Sequence, residues 1–115
     1  MPHEIQKKKF YIEFPNVTRF MSEQSEAINA EYIEIIQKLE TEGRLSMPYG
    51  EKLKGENLFA IRVIRAGNVR VFYVYGKDAN VYGIHGYVKK SQTIPHSELK
   101  QARRWLKEMK KARLI

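Results

Sequence analysis

Cysteine is absent from the 115-residue chain, which excludes disulfides, thiolate nucleophiles and thiolate metal sites together. Long apolar runs are missing too. The longest, such as residues 71–75, fall far short of the ~20 residues that a membrane-spanning helix requires. No secretory apolar core follows Met1, so a cytoplasmic protein with no membrane partner is expected. Proline and glycine are sparse, at four and seven residues, too few for a low-complexity or disordered chain. Also lacking are a GxxxxGK phosphate loop, a GxSxG elbow and any His–carboxylate cluster at ligand spacing. No metal site and no cofactor are therefore expected.

Acidic residues are the minority charge. Against 13 Asp and Glu stand 21 Lys and Arg, a formal net charge of +8, and the pI near 9.7 points to a polyanionic partner. The charges are also segregated. Residues 16–42 hold Glu23, Glu26, Glu31, Glu34, Glu40 and Glu42 against Arg19 and Lys38, whereas residues 87–115 are basic except for Glu98 and Glu108. One part of the fold repels phosphate and another attracts it.

The length suits one domain, residues 1–115. After a loose start over residues 1–6, Phe10, Tyr11, Ile12 and Phe14 form a short strand stopped by Pro15. Within residues 22–42, Ile28, Tyr32, Ile35, Ile36 and Leu39 fall at helical spacing, with glutamates on the other face. That pattern predicts an acidic amphipathic helix or a helical hairpin, ended by Gly43. A loop through Pro48, Gly50 and Gly55 leads to three antiparallel strands over residues 58–64, 69–75 and 81–88. Pro95 then opens a basic helix with an apolar stripe of Leu99, Ala102, Leu106 and Met109.

Period-two alternation places Arg62 on a face with Ala60 and Ile64, and Arg70 on a face with Phe72 and Val74. Each arginine interrupts an apolar row. If the register allows, the two project from neighbouring strands onto one surface, where guanidinium forks suit phosphate. The competing reading is that each snorkels or pairs with a helix glutamate. Lys52 and Lys54 precede the first of these strands, Arg65 follows it, and Lys89 and Lys90 follow Tyr87 at the end of the third. Basic groups with an interleaved aromatic suit single-stranded RNA. Of the histidines, His3 lies in the loose start, His85 within a strand, and His96 at the start of the last helix, where an imidazole can serve as acid or base.

Taken in order, Leu45-Ser46-Met47-Pro48, Lys52-Leu53-Lys54-Gly55, Leu58-Phe59-Ala60-Ile61-Arg62, Val69-Arg70-Val71-Phe72-Tyr73 and Ile84-His85-Gly86-Tyr87-Val88-Lys89-Lys90, followed by Pro95 and a helix containing Ala102, resemble the RelE/HigB superfamily of toxins, in its HigB-like phage-related branch. The resemblance implies an α+β RelE-like fold, β-α-α-β-β-β with a C-terminal helix and a curved antiparallel sheet. It also implies the toxin of a type II toxin–antitoxin pair: a metal-independent, ribosome-dependent mRNA endonuclease. The implied partners are the ribosome, mRNA and a cognate antitoxin with a helix-turn-helix domain. By position, Arg62 and Arg70 resemble the family's phosphate-holding residues, and Lys90 its basic residue after the last strand. His96 lies near the place of a tyrosine used in some members, and Ala60 stands where RelE has a lysine. The general acid and base therefore stay open between His85 and His96. The ParE branch, which inhibits gyrase, and a noncatalytic nucleic-acid-binding module are the alternatives.

Overall fold

The computed structural model describes residues 6–115; His3 and nearly all of the expected loose start lie outside them. The described elements are β1 (Phe10–Glu13), α1 (Pro15–Ser22), α2 (Glu26–Glu42), β2 (Gly50–Lys52), β3 (Phe59–Val63), β4 (Val69–Tyr75), β5 (Asn80–Val88) and α3 (His96–Lys111). The five strands form one open sheet in the order β1-β5-β4-β3-β2. All neighbours are antiparallel except β1, which runs parallel to β5 with Phe10 opposite Asn80. This is an α+β architecture compatible with a RelE-like fold.

Pro15 ends β1 as expected but also begins α1, where its missing N–H costs no helical bond. Within the acidic segment, residues 22–42, the single amphipathic helix is the alternative realised, as α2; α1 precedes it and completes a helical pair. Ser25 separates the two helices and caps α2, its hydroxyl accepting from Ile28 N at 3.1 Å. At the far end Gly43 adopts φ 80°, and its N–H bonds Leu39 O at 2.8 Å.

The sheet separates two cores. Val17 and Met21 of α1 and Tyr32, Ile35 and Leu39 of α2 pack against Ile61, Val63, Val69, Val71, Tyr73 and Val81. On the other face, Ala102 and Met109 of α3 pack with Ala60, Phe72, Val74, Tyr82, Ile84 and Tyr87. Complete burial of a side chain such as Phe72 contributes about 1.5–3 kcal/mol.

Two features escape local pattern. Gly50-Glu51-Lys52 lies in the expected loop yet forms β2, because pairing with β3 supplies what three residues without apolar alternation cannot. In β5 the register slips: Phe72 faces His85 while Tyr73 faces Gly83, leaving Ile84 as the extra residue of a β-bulge. Ile84 joins the α3-side core. His85 turns to that side too, its ring 6.2 Å from that of Phe72.

The β3–β4 connection is held from a distance. Glu31 of α2, only 4% exposed, accepts backbone N–H bonds from Ile64 at 2.9 Å, Arg65 at 3.1 Å and Ala66 at 2.7 Å. Burial alone would raise its pKa, but these donors and the Arg65 guanidinium together hold it below the ordinary carboxylate value.

Candidate functional site

Directly opposed residues in antiparallel strands share a face. Arg62 stands opposite Arg70, and Arg70 opposite Tyr87. The adjacent row runs Glu51, Ala60, Phe72, His85. These rows lie on the α3 side of the sheet, since Ala60, Phe72 and Tyr87 belong to the core that α3 covers. The register that the alternation left open therefore brings both arginines together.

Their environments differ. Arg62 donates from Nη1 to Pro48 O at 3.0 Å, and its Nε lies 3.6 Å from Glu51 Oε2. Arg70 is 5% exposed. Its guanidinium bonds only the carbonyl of Val69, at 3.2 Å, and has no carboxylate partner among the described residues. Burial lowers its pKa and the neighbouring Arg62 lowers it further, while Tyr87 and Glu51 act in the opposite sense. Even so, a guanidinium stays charged at any ordinary pH. Burying a cation without a counter-ion is costly, and beside a second cation it invites an anion.

Arg70 lines a cleft of about 320 Å³ with Glu51, Ala60, Phe72, Tyr87, Lys89, Gln92, Thr93, Ile94 and Leu99. The Tyr87 hydroxyl is buried and has no hydrogen-bond partner among the described residues. Burial raises its pKa, against the pull of Arg70, so it remains a protonated donor at neutral pH. The Tyr87 ring packs 5.4 Å from Phe72 and 6.3 Å from His85, centroid to centroid. It therefore offers the cleft a hydroxyl and not an open stacking face. Behind it, His85 Nε2 lies 2.9 Å from Glu98 Oε1 in the first turn of α3. That contact fixes the imidazole's orientation.

Arg62, Arg70, Tyr87 and Lys89 are thus gathered at or beside the cleft. Lys89 is also tied to Asn68, its N–H bonding Asn68 O at 2.8 Å. Lys90 and His96 are exposed, the one after β5 and the other at the start of α3, and neither lines the cleft. Lys52 pairs with Phe59, so it falls on the opposite face of the sheet, and Lys54 is exposed in the turn beyond. Arg65 faces the acidic helix, bonding Glu34 at 3.0 Å and standing 5.8 Å over the Tyr49 ring. Pairing with helix glutamates, the competing reading for the arginines, thus describes Arg65 and neither Arg62 nor Arg70.

Glu51, Gln92 and Thr93 went unmarked in the sequence. Only recognition of β2 could have placed Glu51 beside Ala60. Among the described residues no three His, Asp or Glu side chains gather as a metal-binding group, and no helix is long and apolar enough to cross a membrane.

An open α+β sheet thus carries, on its α3 face, a buried guanidinium without a carboxylate partner among the described residues. Residues 19–107 match the family described as phage derived protein Gp49-like (DUF891), and the chain belongs to that family, one known to include RelE/HigB-like toxins. The comparison with curated proteins gives no match.

Proposed function

We propose that this chain is the toxin of a type II toxin–antitoxin pair and cleaves mRNA on the ribosome. The observation that carries the reading is Arg70, a buried cation without a carboxylate partner among the described residues, lining a cleft beside Tyr87 and Lys89. Membership of a family that includes RelE/HigB-like toxins supports it.

In this mechanism Arg70 and Lys89 hold the scissile phosphate and Arg62 adds charge from the adjacent strand. The Tyr87 hydroxyl donates to a phosphorane oxygen as negative charge develops there. Glu51 lines the cleft beside the guanidiniums and accepts the proton of the attacking 2′-hydroxyl. The 2′-oxygen bonds to phosphorus, the bond from phosphorus to the 5′-oxygen breaks, and that oxygen takes a proton. His85, beside Tyr87, and His96, at the start of α3, are the imidazoles that can supply it. Lys90 adds positive charge where RNA leaves the sheet, and Lys54 is a more distant basic contact; Lys52, on the opposite face, and Arg65, held by Glu31 and Glu34, take no part. No step requires a metal.

The cytoplasmic partners in this reading are the ribosome, mRNA and a separately encoded antitoxin, of the helix-turn-helix kind, that covers the basic surface. A translation reaction with mapped mRNA ends tests it. New ends bearing 5′-hydroxyls are expected with the natural chain and not with Arg70→Ala. Intact mRNA under active toxin, or gyrase inhibition in its place, would overturn the nuclease reading. Co-expression with neighbouring reading frames tests the antitoxin: one should copurify and restore growth.

A further inference from the structure

α3 leaves one strand of its own sheet face uncovered. Ile12 of β1 stands beside Tyr82 of β5, and Tyr82 belongs to the core under α3. Ile12 and Phe10, two residues earlier, therefore turn toward the α3 side, yet they are 40% and 50% exposed. Phe14, just after β1, meets Trp105 of α3 edge to face with ring centroids 5.2 Å apart, so the apolar surface runs from the strand onto the helix. Gln101, Arg104, Trp105 and Glu108, on one face of α3, line a depression of about 280 Å³. The Trp105 Nε1 is buried and has no hydrogen-bond partner among the described residues, although a buried indole N–H ordinarily finds one. Leu99, which lines the cleft, and Trp105 lie on opposite flanks of the stripe formed by Ala102 and Met109. This groove is thus separate from the cleft.

We infer that the groove between β1 and α3 receives an amphipathic helix with acidic flanks, carried by the antitoxin. This rests on the two-component reading above. Lys100, Arg104, Lys107 and Lys111 recur at helical spacing and form the exposed outer ridge of α3. Of the four, only Lys111 has a carboxylate within ion-pair reach among the described residues, Glu108 at 3.7 Å. An acidic partner matches that rim, whereas a second copy of the chain would bring one basic ridge toward another. Addition of a β-strand is blocked at the edge itself. The Tyr11 N–H, which points away from β5, is already accepted by Glu40 Oε2 at 3.0 Å, so the occupant lies on the face. RNA could use the ridge but has no use for Phe10 and Ile12. Apolar anchors recurring along one side of a helix do, and they seat it in such a groove.

The test co-expresses the chain with the product of each adjacent reading frame and measures the affinity of the product that copurifies, at low and high salt. Replacing Phe10 and Ile12 together by Ser should weaken binding by about 30-fold or more, the scale of an interface hot spot, with the melting temperature kept because both side chains are exposed. Arg104→Glu should slow association and flatten its salt dependence. Lys52→Glu, the same charge change on the opposite face of the sheet, should leave both near the natural values. Trp105→Phe keeps a ring but drops the N–H and should weaken binding about five-fold, the worth of one hydrogen bond. Binding within about two-fold of the natural chain in the double variant, or equal losses in Arg104→Glu and Lys52→Glu, would overturn the inference and leave the two-component reading standing. A free chain that self-associates, and ceases to in the double variant, would assign the groove to a second copy and overturn it as well. No binding by either neighbouring product would overturn both readings together. Intact mRNA, with partner binding still lost in the groove variants, would remove the nuclease reading and keep the groove.

Discussion

The carboxylate of Glu31 in α2 accepts a 2.7 Å bond from the backbone N–H of Ala66, in the turn between β3 and β4. With the bonds from Ile64 and Arg65, this contact pins the tip of the hairpin that sets Arg62 opposite Arg70. Glu31→Ala should therefore cost about 3 kcal/mol or more in denaturant unfolding, since each buried donor left unsatisfied costs about 1–3 kcal/mol. An effect below 1 kcal/mol would show that the turn holds itself.

Acid titration gives an independent reading of the same clamp. The folded-state pKa of Glu31 is depressed, so its contribution is fully present above the unfolded-state carboxylate value. It is lost as pH falls through the folded one. Stability of the natural chain should decline over that acidic window. Glu31→Gln, weaker at neutral pH, should decline less steeply there; parallel curves would contradict the assignment.

Replacing Arg70 by Met separates function from folding. The methionine fills similar length without a charge, and removing a buried ion that lacks a partner often leaves stability unchanged or raised. The melting temperature should hold or rise while mRNA cleavage falls by about 10²–10³-fold. A large loss of stability with cleavage retained would make Arg70 a structural residue. Arg62→Ala should weaken cleavage less, because Arg62 is already engaged by Glu51 and Pro48.

Gly83 tests how the edge strand is seated. A Cβ there would overlap the Tyr11 phenol, whose hydroxyl lies 2.7 Å from that of Tyr32, which in turn donates to Glu13 at 2.5 Å. Burial raises the pKa of both phenols, so the chain of hydroxyls stays protonated. Gly83→Ala should destabilise by about 1–3 kcal/mol, the usual cost of overpacking. Tyr11→Phe in the same background should not recover the loss, since the ring still meets the added methyl.

Among the described residues, two polar side-chain pairs tie α3 to the rest of the protein, His85 with Glu98 and Arg103 with Glu56. Glu98→Ala should speed amide exchange in residues 98–103 and leave the later turns of α3 unaffected. Uniform exchange along the helix would mean that the pairing with His85 does not anchor its start.

Much of this arrangement was legible in the chain because it follows from local period. The alternation around Arg62 and Arg70 placed each on its correct face, and the spacing of Tyr32, Ile35 and Leu39 gave the buried stripe of α2. What escaped depends on partners far along the chain. Glu51 is a surface-looking glutamate until β3 pairs with β2. Lys52, its neighbour, turns away for the same reason, and Arg65 belongs to the acidic helix because Glu34, 31 residues earlier, meets it. The bulge at Ile84 leaves only a general sign, Gly83 and Gly86 inside the strand, because which residue is left unpaired depends on the register against β4. α1 is too short for its apolar positions to stand out as a period.

The two helical layers on either side of the sheet carry opposite signs. Glu26, Glu34 and Glu42 are exposed on α2, and Lys100, Arg104, Lys107 and Lys110 on α3. The molecule is in effect a small electric needle whose positive pole lies on the side of the cleft. In the field of a polyanion such a body experiences a torque as well as a pull. It turns before it touches, and collisions become biased toward the face that can do chemistry. Dissolved salt would shorten the reach of that torque to roughly 8 Å under physiological conditions, leaving encounters less oriented even where the contacts finally made are the same.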